Sequence, residues 1–123
     1  MVDDSKAFSS YSIDDIGAAK DFYAGTLGLN AAEQPEGLVI TLATGHPVFL
    51  YPKDSHEPAT FTVLNFGVDD VEAAVDELVG KGVTMARYEG FDQDERGIAP
   101  GPNGPHIAWF KDPAGNVLSV TQL

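Results

Sequence analysis

The stretch Val63-Leu64-Asn65-Phe66-Gly67-Val68-Asp69-Asp70-Val71-Glu72-Ala73-Ala74-Val75-Asp76-Glu77-Leu78-Val79-Gly80 decides the fold, because its hydrophobic period changes partway along. From Leu64 to Val68 apolar residues alternate, the pattern of a half-buried strand. From Val71 onward the apolar positions are Val71, Ala74, Val75, Leu78 and Val79, the stripe of an amphipathic helix. Asp69 is placed to cap that helix, Glu72 three residues on completes a capping box, and Gly80 to Gly82 end it. The same order recurs 55 positions earlier, from Phe8 to Gly25. Asp14, Asp15, Ala18, Ala19, Asp21 and Gly25 are matched by Asp69, Asp70, Ala73, Ala74, Asp76 and Gly80, and Tyr11, Ile13 and Ile16 pair conservatively with Phe66, Val68 and Val71. The chain therefore reads as two copies of one unit of about 55–60 residues. In the first copy Asp14 or Asp15 caps the helix, and Ile16, Ala19, Phe22 and Tyr23 form its inward face. Paired aspartates at helix starts read as caps, not as catalytic acids.

Downstream of each helix lie short strand candidates. The first copy offers Leu38–Leu42 and Val48–Tyr51 around the turn Ala43-Thr44-Gly45-His46-Pro47. The second offers Val83–Tyr88, Ile107–Lys111 and Val117–Thr121, the last two joined by the turn Asp112-Pro113-Ala114-Gly115-Asn116. The fold class is α+β, built from two tandem βαβββ modules. Module 1 covers about residues 7–52, a connector about 53–60 and module 2 about 61–123, all within a single domain spanning 1–123. The irregular run from Gly90 to Pro105, rich in Gly and Pro, reads either as a lid or as a solvent loop.

Composition narrows the function. With Lys+Arg at 7 against Asp+Glu at 19 the net charge is −12, so no basic stripe exists for nucleic acid. The chain contains no cysteine, which removes disulfides, thiolate metal sites and a cysteine nucleophile. No apolar run approaches the ~18 residues of a membrane span. The stretch Met1-Val2-Asp3-Asp4-Ser5-Lys6 lacks the basic and apolar regions of a signal peptide, so a cytoplasmic location is expected.

Asp15 through Tyr23, ending in Asp-Phe-Tyr, then Gly25-Thr-Leu-Gly28-Leu, and Trp109-Phe-Lys-Asp112-Pro113-Ala-Gly115-Asn116 near the C-terminus together carry a family resemblance. The chain resembles the vicinal oxygen chelate superfamily, which includes glyoxalase I, bleomycin-resistance proteins and extradiol dioxygenases. The resemblance implies curved mixed sheets around a cavity, and a homodimer. In metal-dependent members a His or Gln early on the first strand and a Glu on the last strand of a module hold the metal. Carried across, those positions are Phe8, Val63, Ser119 and a first-module counterpart near Phe49, none of which is a ligand for a divalent ion. No metal site and no cofactor are therefore expected.

Strand alternation assigns the lining. If Tyr11 and Ile13, and Leu64, Phe66 and Val68, pack on the helices, then Phe8, Ser10, Ser12, Val63 and Asn65 face the other way. On the last strand Val117, Ser119 and Thr121 do the same, with Tyr51 and one of Trp109 or Phe110 as neighbours. Phe8, Ser10, Tyr51, Asn65, Trp109 and Ser119 are thus the candidate ligand-binding residues, an aromatic and hydroxyl-rich set suited to a flat or apolar small molecule. The same aromatics would equally serve as core filling. His46, His56 and His106 have no ligand spacing and read as surface or turn histidines, with His106 the candidate for catalysis because it opens a strand.

Two function classes remain. One is a metal-free small-molecule-binding protein, its acidity favouring a cationic or amphipathic ligand. The other is an enzyme (lyase, isomerase or dioxygenase) using an atypical metal set or metal-free acid–base chemistry, with His106 or an acid from Asp92–Glu95 in that role. A third, blander alternative is a partner-binding domain whose cavity Phe8 and Trp109 plug. Metal content tests the metal-dependent branch of the second, its absence leaving a binding protein or a metal-free enzyme. After incubation with Zn²⁺, Ni²⁺, Mn²⁺ and Fe²⁺ and exhaustive dialysis, mass spectrometry is expected to find no stoichiometric metal. Near one ion per chain would overturn the ligand argument and make His46, His56 and His106 the suspects.

Overall fold

The computed structural model describes residues 2–123. Met1, the first residue of the polar N-terminal stretch, lies outside the described residues. Two compact units, Met1–Pro58 and Ala59–Leu123, divide the chain. In the first unit a short 3₁₀ turn at Asp4–Lys6 leads into β1 (Ser9–Ile13), α1 (Ile16–Lys20), a π-helical turn (Asp21–Thr26), β2 (Asn30–Gln34), β3 (Gly37–Thr41) and β4 (Pro47–Pro52). In the second unit β5 (Thr62–Val68) is followed by α2 (Val71–Gly80), β6 (Ala99–Gly101), β7 (Gly104–Lys111) and β8 (Val117–Gln122).

Each unit holds one four-stranded mixed sheet, ordered β1-β4-β3-β2 and β5-β8-β7-β6. Both have the same logic. The first strand pairs in parallel with the last (β1 with β4, β5 with β8), and the remaining pairs are antiparallel. Parallel strands cannot be joined by a hairpin, so the chain crosses over through the helix, which then covers one face of the sheet. The core of the first unit is Ile13, Leu38, Ile40, Val48, Leu50, Ala19 and Tyr23; that of the second is Val71, Val75, Phe110, Leu118, Ala108 and Val120, all buried. Full burial of each large aliphatic or aromatic side chain stabilises by about 1.5–3 kcal/mol. The architecture is the α+β pair of mixed sheets expected from the sequence.

Several local expectations change. α2 is capped by Asp70, not Asp69: its carboxylate accepts from the Ala73 N–H at 3.1 Å. Glu72 therefore sits one position too early for a capping box, and the Val71 N–H instead donates to Gln122 Oε1 of β8 at 2.9 Å. In the first unit Asp15 takes the cap, accepting from Ala18 N–H at 3.0 Å. The first helix keeps α geometry only to Lys20 and then widens into π turns, which set Phe22 and Tyr23 edge to face at 5.3 Å. Tyr23 is buried with its hydroxyl 2.7 Å from that of Tyr11. Val79, assigned to the buried stripe of the second helix, is 54% exposed.

Val83–Tyr88 is not a strand; only an isolated bridge between Met85 and Phe110 remains there. The edge strand of the second sheet is instead β6, inside the run that reads from sequence as a loop. The reason lies in one side chain. Gln93 accepts from Tyr88 N–H at 2.8 Å and donates to the carbonyls of Ala86 (3.1 Å) and Gly97 (2.7 Å), so the backbone there is satisfied without a neighbouring strand. Asp94 adds a turn by accepting from the N–H groups of Arg96 and Ile98, both at 2.9 Å. β2 escapes sequence reading because four of its five residues are exposed and it has no apolar alternation.

At the start of β3 a side chain on Gly37 would collide with the backbone carbonyl of Leu50, which cannot move without breaking the β3–β4 ladder. Gly37→Ala is expected to cost about 2–3 kcal/mol in urea unfolding, the range of an overpacked core. An unchanged midpoint would mean that the two strands lie further apart than described.

Candidate functional site

Because α1 packs on β2 and β3, and α2 on β7 and β8, each sheet keeps one face free of its own helix. Cross-strand register places the candidate residues on those faces. In the second unit Asn65, Ser119 and Trp109 form one row across β5, β8 and β7. Ser119 is fully buried; its hydroxyl donates to Asn65 Oδ1 at 2.5 Å and lies 3.1 Å from the Thr121 hydroxyl. With its carbonyl oxygen so engaged, exposed Asn65 has its amide nitrogen left to donate. Of the two aromatic candidates on β7, Trp109 belongs to this row, whereas Phe110 is fully buried on the helix side.

In the first unit Ser10 pairs with Phe49, and Ser12 with Tyr51. The rings of Phe49 and Tyr51 stack, with centroids 6.2 Å apart and planes at 26°. At the end of this face lies a hollow of about 410 Å³ lined by Phe8, Gln34, Glu36, Val39, Pro47 and Phe49. Phe8 is 60% exposed there. Gln34 and Glu36 were not among the sequence candidates, because the edge strand that carries Gln34 has no hydrophobic signature. A carboxylate beside two phenyl rings and a proline is chemically suited to an organic cation.

The histidines separate in position. His56 Nδ1 lies 2.7 Å from Ser12 Oγ, a contact that brings a connector residue onto the first sheet's open face across 44 residues of sequence. His46 sits in the β3–β4 hairpin, its carbonyl accepting from Leu42 N–H at 2.9 Å. His106 alternates with Ile107 and Trp109 along β7, so it shares the side of Ala108 and Phe110, and its ring lies over Gly101, where a Cβ would come within 2.8 Å. The acidic run Asp92–Glu95 contributes turn and backbone contacts through Asp94, as described above.

Beyond Trp109 the open face of the second sheet is extended by Tyr88 and Phe91. The three rings contact one another edge to face, at 5.7 Å for Tyr88 and Trp109, 5.4 Å for Phe91 and Trp109 and 6.1 Å for Tyr88 and Phe91. Burial raises the pKa of Tyr88 above its ordinary value of 10, so its hydroxyl stays protonated at neutral pH. A separate hollow of about 460 Å³ lies between α2 and residues 83–97, over Val75, Val79 and Val83. On its charged rim Arg96 pairs with Asp76 at 3.0 Å and Glu72 at 3.7 Å, and Arg87 donates to the Asp94 carbonyl at 2.6 Å.

Among the described residues no three His, Asp or Glu side chains gather as a metal cage. At the positions to which the resemblance carries metal ligands stand the side chains of Phe8, Phe49, Val63 and Ser119. Three are hydrocarbon, and the fourth is a hydroxyl already bonded to Asn65. That donor set does not fit a divalent cation. No helix among the described residues is long and apolar enough to cross a membrane.

Comparison with known proteins places this geometry in context. The family model for the Glyoxalase/Bleomycin resistance protein/Dioxygenase superfamily matches residues 9–120. No curated protein matches the chain. Among solved structures, a glyoxalase/bleomycin resistance protein from Streptomyces sp. CB03234 is 27% identical, with 94% of this chain and 100% of that chain covered and a TM-score of 0.63. TnmS3, an antibiotic binding protein from the same organism, is 25% identical over 95% of each chain, with a TM-score of 0.62. A superfamily member from Sphaerobacter thermophilus DSM 20745 has the same fold, at 24% identity over 95% of this chain and 97% of that one, with a TM-score of 0.67. With its two mixed sheets, helix-capping aspartates and terminal Asp112–Asn116 turn, the chain belongs to the glyoxalase/bleomycin resistance/dioxygenase superfamily.

Proposed function

We propose that this chain is a binding protein of its superfamily that holds a small aromatic or cationic molecule without a metal. The observation that carries the reading is the first-unit hollow, where Glu36 supplies the single formal charge beside Phe8 and Phe49. A planar organic cation gains there from ring stacking, cation–π attraction and a neighbouring carboxylate. The net charge of −12 adds long-range attraction that raises the encounter rate. Similarity to an antibiotic binding protein supports the same class of activity. On this reading residues 1–123 act as one domain, in the cytoplasm and as a homodimer. Phe8, Ser10 and Tyr51 serve the first unit's face, and Asn65, Trp109 and Ser119 that of the second.

A second reading, a lyase, isomerase or dioxygenase working by acid–base chemistry, draws on the Ser12–His56 contact at 2.7 Å. His56 replaces His106 as its base, since His106 is set against Gly101.

The binding reading is tested with proflavine, a planar aromatic cation, followed by its own fluorescence anisotropy. Phe49→Ala is expected to weaken binding roughly tenfold and Glu36→Gln severalfold. Raising salt should weaken the wild type more than Glu36→Gln. If proflavine fails to bind, or both variants bind it as the wild type does, the hollow is not a ligand site.

A further inference from the structure

Tyr88 is an anomaly on the second unit. Its hydroxyl oxygen is shut off from solvent and has no hydrogen-bond partner, the one such side-chain atom found among the described residues. An unmade hydrogen bond at a buried group is costly, and folding gains nothing from it. Phenylalanine would fill the same space without that cost.

The surroundings give the hydroxyl a use. Tyr88 meets Trp109 and Phe91 edge to face, and Trp109 continues the Asn65–Ser119 row on the open face of the sheet. The two neighbours differ in freedom. Trp109 is held in β7 by strand pairing. Phe91 is 59% exposed and lies in a segment without strand pairing, so its ring can turn aside at little cost. Gln93, two residues on, anchors the backbone on either side through Tyr88, Ala86 and Gly97, which holds Tyr88 in place while Phe91 moves.

We infer that Tyr88, Phe91 and Trp109 form a contact site for a planar aromatic molecule bearing a carbonyl oxygen. The ligand ring displaces Phe91 and packs on Trp109, and the Tyr88 hydroxyl donates to the carbonyl. Because burial holds that hydroxyl protonated past its ordinary titration range, it is a donor at every physiological pH. The inference rests on the reading of the chain as an aromatic-ligand binder, and it names the group on the second unit that selects among such ligands.

The test uses 9-fluorenone and fluorene, which share one planar skeleton and differ in the ketone. Trp109 is the chain's single tryptophan and part of this site, so its fluorescence quenching follows binding, and the Tyr88→Phe comparison assigns the ketone preference to this site. Wild type is expected to bind fluorenone about fivefold more tightly than fluorene, and Tyr88→Phe to erase that preference while still binding both. Without ligand, Tyr88→Phe is expected to melt about 3 °C higher, because the unpartnered hydroxyl is gone. Phe91→Ala should speed fluorenone association severalfold. A preference that survives Tyr88→Phe, a lowered melting temperature in that variant, or unchanged association in Phe91→Ala would overturn the inference. Those results would leave the Phe49 and Glu36 experiment untouched. Failure of both fluorenone and fluorene to quench Trp109 would overturn the site, whatever proflavine does.

Discussion

Everything in each unit follows from a parallel strand pair. β1 lies beside β4 and β5 beside β8, and neither pair can be closed by a tight turn. The chain must leave the sheet, pass through a helix and return, and the helix necessarily lands on one face. That single requirement splits every strand into two sets of side chains. One set, which includes Ile13, Leu50, Leu118 and Phe110, is buried under the helix. The other, which includes Ser10, Phe49, Tyr51, Asn65 and Trp109, is left for something other than the fold's own core.

The chemistry of that second set decides what the open faces can do. At the positions to which the family resemblance carries metal ligands stand the two rings of Phe8 and Phe49, the isopropyl group of Val63 and the hydroxyl of Ser119. Ser119 is spent on Asn65, and Ser12 on His56, so even the hydroxyls are partly committed within the protein. Residues of this kind orient and select a ligand by shape and a few hydrogen bonds. The charge that remains nearby, Glu36, comes from the loop between two edge-side strands.

The run between α2 and β7 shows how polar side chains can replace regular structure. Gln93 takes three backbone partners that a strand would otherwise supply, and Asp94 closes the following turn on Arg96 and Ile98. A segment that is dense in Gly, Pro and acidic residues is thereby held in a defined path. Its exposed large apolar side chain is Phe91. Order of this sort costs little sequence signal, since one glutamine and one aspartate carry it.

The strand-to-helix change of period, its recurrence 55 residues apart and the terminal Asp112–Asn116 turn were legible in the sequence alone. Each is a local pattern, written in neighbouring residues whose periodicity follows from backbone geometry. Alternation likewise assigned Tyr11, Ile13, Ser10 and Asn65 to their correct faces. What the sequence did not contain was any contact between distant residues. The Val71 N–H bonded by Gln122, the Ser12–His56 pair and the Tyr88–Phe91–Trp109 cluster span from 18 to 51 residues of chain where only folding brings them together. The edge strands β2 and β6 were illegible for a related reason. Each is paired on one side only: β2 is mostly exposed and β6 is three residues long, so both are specified by a neighbour's hydrogen bonds, not by a hydrophobic pattern of their own.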